Sequence, residues 1–261
     1  MRPLIFYLIF VMGFTLSTFK TSVASTVYFE PKTLGQSDQM RAETQQKNDD
    51  HEAVQAFDSD AEKGYIGQRK HAMRYGQGSM VWPDGKRYSG QWLNDKMHGQ
   101  GIMTWPDGKI CVGQWKDDTL HGLATAVYAD GKKYTGQWLN GKAHGQGTKV
   151  FADGRKYNGF FKADAPHGKG TMIWPDGKKY TGQWLEGKVH GQGTETRPDG
   201  MKYTGNFVNA VYSGQGTIIW PDGSKYEGQW KDGKPNGQGV AIRSDGTKQA
   251  GNFKDGEFLG E

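Results

Sequence analysis

WPDGKRYSGQWLNDKMHGQG, residues 82–101, returns almost unchanged as WPDGKKYTGQWLEGKVHGQG at 174–193. The block mixes turn formers, aromatic residues, glycines and one histidine. Either Asp84, Lys86 and His98 are chemical groups of a site, or the block is a building unit of a wall, and its recurrence decides between the two. From residue 65 the chain repeats every 23 residues, with copies beginning at Tyr65, Tyr88, Cys111, Tyr134, Tyr157, Tyr180, Tyr203 and Tyr226, and a partial ninth at Gln249. No insertion breaks this register up to residue 261. One small unit, stacked many times, is the reading that follows.

The columns of the repeat carry the fold. Position 3 is glycine in every copy, from Gly67 to Gly251, and position 5 is aromatic in all copies after the first (Trp92, Trp115, Trp138, Phe161, Trp184, Phe207, Trp230, Phe253). Position 12 is glycine throughout, position 14 is glycine except at Ala124, and positions 20 and 21 are Asp-Gly in all eight full copies. Tyr-x-Gly-x-Trp alternates with period two, which points Tyr88 and Trp92 to one face of a strand with Gly90 between them. A second strand is expected over roughly Gly99–Trp105. Asn94-Asp95 and Pro106-Asp107-Gly108 supply the positive φ or fixed proline φ that close hairpins. Each copy is therefore one β-hairpin, and because an isolated hairpin is only marginally stable, the copies must stack to bury their rings. Sixteen strands spaced ~4.8 Å apart make a sheet on the order of 75 Å long. Glycine columns beside aromatic columns leave room for rings over the backbone and let the sheet bend at the same place in each copy.

The pattern YxGxW…GKxHGxGxxxxPDGxx resembles the MORN (membrane occupation and recognition nexus) repeat family over residues 65–261. Cys111 and Gln249 in place of tyrosine, Ala124 in place of glycine, and Ser213 and Asn236 in place of histidine depart from the pattern and make those copies locally less regular. The resemblance implies an elongated, single-layer, twisted antiparallel sheet. It also implies protein-binding and membrane-associated roles without catalysis in the repeats.

Composition agrees with an all-β reading. Forty glycines in 261 residues is about twice the usual share, aromatics reach 13%, and nine prolines are too few for a collagen or polyproline chain. The apolar run LIFYLIFVMGFTLSTF at 4–19 follows Arg2 and precedes Ser22 and Ala24, at the spacing signal peptidase reads. A signal peptide over 1–25, cleaved after Ala24 or Ser25, is expected; an uncleaved anchor is the alternative, although the run is short of the ~20 apolar residues of a membrane span. Either outcome exports the remainder to the periplasm or the cell exterior. Residues 26–64 carry a net charge of −5 and are read as an acidic linker, disordered or helical between Ser37 and Glu62. Residues 65–261 carry +8. Cys111 is the only cysteine, so no intramolecular disulfide or cysteine-based metal cluster can form.

The histidine column (His98, His121, His144, His167, His190) does not read as catalytic or metal-binding. Equivalent residues two strands apart lie roughly 9.6 Å from each other, and Ser213 and Asn236 share the column. Each copy offers one turn aspartate beside basic residues, where a calcium site needs several oxygen ligands. HGQGT lacks the Gly-Lys-Ser/Thr ending and strand-to-helix switch of a phosphate loop. No enzyme, cofactor or nucleic-acid partner is expected.

Two ladders remain. Position 18 is aromatic in six of eight full copies (Trp82, Trp105, Tyr128, Phe151, Trp174, Trp220), and position 23 is basic in seven (Arg87, Lys133, Lys156, Lys179, Lys202, Lys225, Lys248). In the plainest reading the rings are core and the lysines guard exposed strands. A single layer leaves its rings partly uncovered, however, so a groove of rings edged by lysines suits a protein or peptide partner, or a second copy of the chain. Attachment of the basic ladder to an anionic membrane surface is the alternative. A carbohydrate ligand on the Trp column lacks acidic or amide partners at fixed positions.

Overall fold

The computed structural model describes residues 55–60 and 64–261. The expected signal peptide and most of the acidic linker lie outside these residues. Among the described residues nineteen strands form one antiparallel sheet. Each strand pairs with the one before it and the one after it in the chain. Extensive contacts are likewise confined to consecutive strands. The array is thus an open meander, one sheet thick. A typical copy contributes a seven-residue strand, such as Arg87–Leu93, and a nine-residue strand, such as Lys96–Thr104.

The first strand, Gln55–Asp60, falls inside the stretch read from sequence as helical. It pairs with Tyr65–Lys70, with Asp58 opposite Gly67 and Asp60 opposite Tyr65. The repeat alone would leave the backbone groups of Tyr65–Lys70 as an unpaired edge, and the added strand covers them.

Two kinds of turn alternate. Within a copy the strands are joined by two residues that both have positive φ, as at Asn94 (49°) and Asp95 (66°), which is the mirror-image turn that matches the twist of a hairpin. The second turn residue also donates its N–H to the previous copy: Asp95 to the Arg74 carbonyl, Asp118 to Met97, Gly141 to Leu120. Between copies, Gly85 (φ 83°) donates to the Trp82 carbonyl, while the Asp84 carboxylate accepts the Lys86 N–H at 3.1 Å. All eight Asp-Gly turns share this aspartate bond. The turn role read from sequence is the one these carboxylates perform.

Parity sorts the side chains into two faces. Tyr88, Gly90 and Trp92 share one face with Met97 and Met103, whereas Arg87, Ser89, Gln91 and Leu93 occupy the other. On the ring face the tyrosine column is almost wholly buried (Tyr65, Tyr88, Tyr134, Tyr157, Tyr180, Tyr203, Tyr226, all at most 3% exposed). Each ring lies across the glycine at position 14 of its own hairpin, and a β-carbon on Gly101 would overlap the Tyr88 ring. Its hydroxyl donates to the backbone carbonyl three residues on, Tyr88 to Gln91 at 2.9 Å and Tyr134 to Gln137 at 2.9 Å.

Position 5 locks one copy to the last. The Trp92 indole donates to the Gly78 carbonyl (3.1 Å), Trp115 to Gly101 (3.2 Å) and Trp138 to Ala124 (3.0 Å). Each tyrosine after Tyr65 is therefore flanked edge-to-face by two rings, its own copy's and the next copy's: Tyr134 lies 5.1 Å from Trp138 and 5.0 Å from Phe161. Such pairs contribute about 0.5–1.5 kcal/mol each beyond area burial.

Copy 3 breaks the column twice, and the two breaks are one event. Cys111 replaces the tyrosine and Ala124 the glycine its ring would cover. Ala124 sits opposite Gly113 in the same hairpin, where its methyl fits because no phenol overlies it.

Two tests follow from these columns. Gly101→Ala in copy 2 is expected to destabilise the array through overlap with Tyr88, whereas in a Tyr88→Cys background the same change is expected to be tolerated. A double-mutant cycle by thermal or urea unfolding should give a coupling of about 1–3 kcal/mol. Burial pushes the phenols up, to about 12 for Tyr134 and Tyr180. Their folded-state values exceed the unfolded value of about 10, so the folded chain holds more protons between these limits. Stability is complete below about pH 10 and falls as pH rises through about 12. Circular dichroism should therefore show alkaline unfolding in that window, concurrent with phenol ionisation by ultraviolet absorbance.

Candidate ligand face

The position-18 rings Trp82, Trp105, Tyr128, Phe151, Trp174 and Trp220 all pack half-buried against the core on the ring face. The basic ladder read from the sequence as edging these rings lies elsewhere. The position-23 residues Arg87, Lys133, Lys156, Lys179, Lys202, Lys225 and Lys248 precede the tyrosine column by one residue in a strand, so pleating sends them to the opposite face. The cations that edge the rings stand one position earlier. Lys109 Nζ lies 4.5 Å from the Trp105 ring centre and 5.2 Å from Tyr128, bridging two copies. Lys132 covers Tyr128, Arg155 covers Phe151 at 4.7 Å, and Lys178 covers Trp174 at 5.0 Å.

The ring column is also not continuous. Copy 6 carries Glu195 in a column that is apolar in the other copies except for Lys149, and Arg197 in place of the ring. The Glu195 carboxylate is 6% exposed and is met by Lys178 and Arg197, each at 3.0 Å, and by the Tyr212 hydroxyl at 3.1 Å. Burial, followed by the Glu195 charge, pushes the Tyr212 phenol up to about 12. This satisfied polar knot divides the face. Trp82, Trp105, Tyr128, Phe151 and Trp174 form one run, and Trp220 stands beyond the interruption.

Within that run, copy 3 opens a groove. A depression of about 440 Å³ lies on this copy, lined by Trp105, Tyr128, Trp115 and Trp138 above a Cys111 that stays buried. Burial pushes the Cys111 thiol up to about 11, which keeps it protonated and unreactive at neutral pH. Lys149, on the same groove, is driven down by burial.

The opposite face explains two further columns. Gly99 (φ 57°) lies in a bulge, since Gly90 pairs with Gly101 but Gln91 pairs with His98. The bulge strands the Gln100 N–H, and the Gln91 side-chain oxygen accepts it at 2.7 Å. Six copies repeat this bond. This glutamine recurs one residue after the invariant glycine, and that recurrence is its signal in the sequence. The histidines face outward beside it, and Nδ1 of His98, His121 and His190 has no hydrogen-bond partner. Among the described residues no group of three His, Cys, Asp or Glu side chains could hold a metal ion.

A single layer of hairpins, all but one of the full copies sealed by a tyrosine over glycine, defines a β-hairpin repeat protein. The MORN repeat model matches eight consecutive segments, 65–87, 88–110, 111–133, 134–154, 157–179, 180–202, 203–225 and 226–248, and the chain belongs to the MORN repeat family. No curated protein matches the chain significantly. Several solved structures are distantly similar. The G-box domain of the microcephaly protein CPAP has 21% identity, covering 69% of this chain and 100% of its own, with a TM-score of 0.39. A mutant TCP10 domain of Danio rerio CPAP has 15% identity over 75% and 92%, TM-score 0.41. The SAS-4 TCP domain of Drosophila melanogaster, in complex with a proline-rich motif of Ana2, has 12% identity over 57% and 81%, TM-score 0.36.

The two outward columns predict different sensitivities. His98→Asn is expected to leave thermal stability nearly unchanged, because Asn236 already fills that column. Gln91→Ala strands the Gln100 N–H and is expected to cost about 0.5–1.5 kcal/mol, while Gln91→Glu, which keeps the acceptor, costs less.

Proposed function

We propose that the array is a non-enzymatic scaffold that binds a segment of another protein along its ring face. The observation that carries this reading is the run of five half-exposed rings, Trp82 to Trp174, most of them edged by a cation from the turn. Successive rings stand two strands apart, roughly 9.6 Å. A fully extended or polyproline-type chain advances about 9–10 Å in three residues. In the polyproline-type form, with three residues per turn, every third side chain of such a segment therefore meets a ring. A small ligand would engage one copy, whereas a polypeptide engages the whole run and gains from each copy. The scaffold works outside the cytoplasm, a reading that rests on the N-terminal sequence alone. N-terminal sequencing of the mature protein tests it, with Ser25 or Thr26 as the expected first residue.

A second reading rests on the opposite face. Its basic column is paired across strands with exposed aliphatic residues, Val81 with Arg87, Ile173 with Lys179 and Ile219 with Lys225. Lysines beside aliphatic side chains suit an anionic membrane surface.

The two readings separate experimentally. Binding of a partner captured from the native compartment is expected to fall at least tenfold with Trp105→Ala plus Trp174→Ala and to persist at high salt. Sedimentation with phosphatidylserine vesicles would instead weaken steeply with salt, because exposed charges are screened beyond ~8 Å at physiological ionic strength, and would be abolished by reversing Lys133, Lys156 and Lys179 to Glu. Unchanged partner binding in the folded double-Trp variant would overturn the ring-face reading.

A further inference from the structure

Pleating sorts the charges as strictly as the rings. From Arg87 to Lys254, the strand positions that share a face with Arg87 hold sixteen Lys or Arg residues and one carboxylate, Glu227. The other carboxylates of this stretch stand in the turns at the strand ends, except Glu195, which lies on the ring face. Among the described residues only two of the sixteen cations have a carboxylate within 4.0 Å, Lys96 with Asp117 at 3.9 Å and Lys225 with Glu227 at 2.7 Å. The turn aspartates are engaged elsewhere: Asp130 and Asp153 pair with Lys132 and Arg155 on the ring side, and Asp118 and Asp164 accept backbone N–H groups.

The interior of this basic face is polar. One row crosses nine successive strands from Thr125 to Thr217, each residue directly opposite the next, and it is threonine everywhere except at Asn158. Neighbouring hydroxyls bond across copies, Thr125 with Thr135 and Thr171 with Thr181, both at 3.0 Å. Such a pair uses one of its two O–H donors and leaves the other for a ligand. Two residues before the row, on alternate strands, stand Lys133, Lys156, Lys179 and Lys202, and two residues after it stand Gln137 and Gln183. Each of these glutamines accepts a bulge N–H at 2.9 Å through its side-chain oxygen, which fixes its NH2 end as a donor.

We infer that this face is a track for an extended acidic polysaccharide, a chain of sugars bearing carboxylates, laid across the strands along the threonine row. The lysines recur in line every two strands, roughly 9.6 Å, so a linear polyanion meets one ammonium per copy and gains from each. Threonine hydroxyls and glutamine amides beside them are donors for the sugar oxygens. Exposed Ile173 and Ile219, opposite Lys179 and Lys225, offer an apolar strip to the C–H faces of sugar rings. The inference goes beyond the ring-face reading and does not depend on it. It shares its lysines with the membrane reading, but a lipid surface makes no use of a hydroxyl row. The tryptophans that would anchor a protein at a bilayer interface all lie on the ring face. A neutral glycan would leave the lysines without partners.

The test is equilibrium binding of the full chain, at one ionic strength, to polygalacturonate, its methyl ester, poly-L-glutamate of matched length, and phosphatidylserine vesicles. Polygalacturonate is expected to bind at least about tenfold more tightly than the uncharged ester, and several-fold more tightly than polyglutamate. Lys156→Gln, Lys179→Gln and Lys202→Gln together are expected to weaken polygalacturonate binding at least about tenfold. The decisive variant is Thr181→Val with Thr204→Val, expected to weaken polygalacturonate several-fold and to leave polyglutamate unchanged. Val112 and Val240 already occupy this row, so folding is retained; unfolding temperature verifies this. If polyglutamate binds as tightly as polygalacturonate and the valine variant alters neither, the face is a general polyanion surface and the track is refuted. Vesicle binding without polygalacturonate binding refutes it in favour of the membrane reading. Polygalacturonate binding that survives the lysine variant but falls with Trp105→Ala plus Trp174→Ala places the glycan on the ring face and refutes the track too. If no probe binds, the track falls, while the ring-face reading, tested with a protein partner, is untouched.

Discussion

A phenol lying across a glycine holds this molecule together. The ring must approach the backbone of its own hairpin closely enough for its hydroxyl to reach a carbonyl three residues on, and only a residue without a β-carbon permits it at position 14. Once seated, the ring offers its edge and face to two position-5 rings, and the indoles among these reach back to the carbonyl of the preceding copy's position 14. The same few atoms thus close each hairpin and join it to its neighbour. A single-layered sheet has no second layer to pack against, so this self-contained contact takes the place of a conventional core.

That dependence explains the odd copy. Cys111 and Ala124 each look like a blemish alone, yet the alanine methyl occupies space that only the cysteine leaves free. Because copies touch only their neighbours, a departure of this kind stays local. One repeat can acquire a distinct surface while the flanking repeats keep their packing. Glu195 and Arg197 do the same in copy 6, exchanging an apolar contact and a ring for a polar knot in which the buried carboxylate has three partners.

Much of this was legible in the sequence because the period is strict. Tyr-x-Gly-x-Trp fixes strand parity, and Asn-Asp and Asp-Gly mark the two turns. What escaped notice depends on contacts that no local pattern displays. Gln91 reads as an exposed strand residue until the bulge at Gly99 leaves an N–H beside it. The ring-edging cations were placed at Arg87 and its equivalents, when the turn delivers Lys109 and Lys132 instead; one residue of phase across a turn reverses the face. Gln55–Asp60 lies in a stretch without glycine or proline that reads as helical. Its pairing with Tyr65–Lys70 is dictated by an open sheet edge and not by its own residues.

The direction of the backbone hydrogen bonds carries a mechanical consequence. In an antiparallel sheet they run perpendicular to the strands, which in this meander is along the line of stacked hairpins. Tension applied through the two chain ends loads those bonds one strand at a time, in series, as a zipper is opened. Shear, which would engage many bonds at once, is not available in this geometry. A partner spread over several copies would bridge consecutive hairpins and carry part of the load itself, so the length of chain released before the force rises would report how many repeats the partner leaves ungripped.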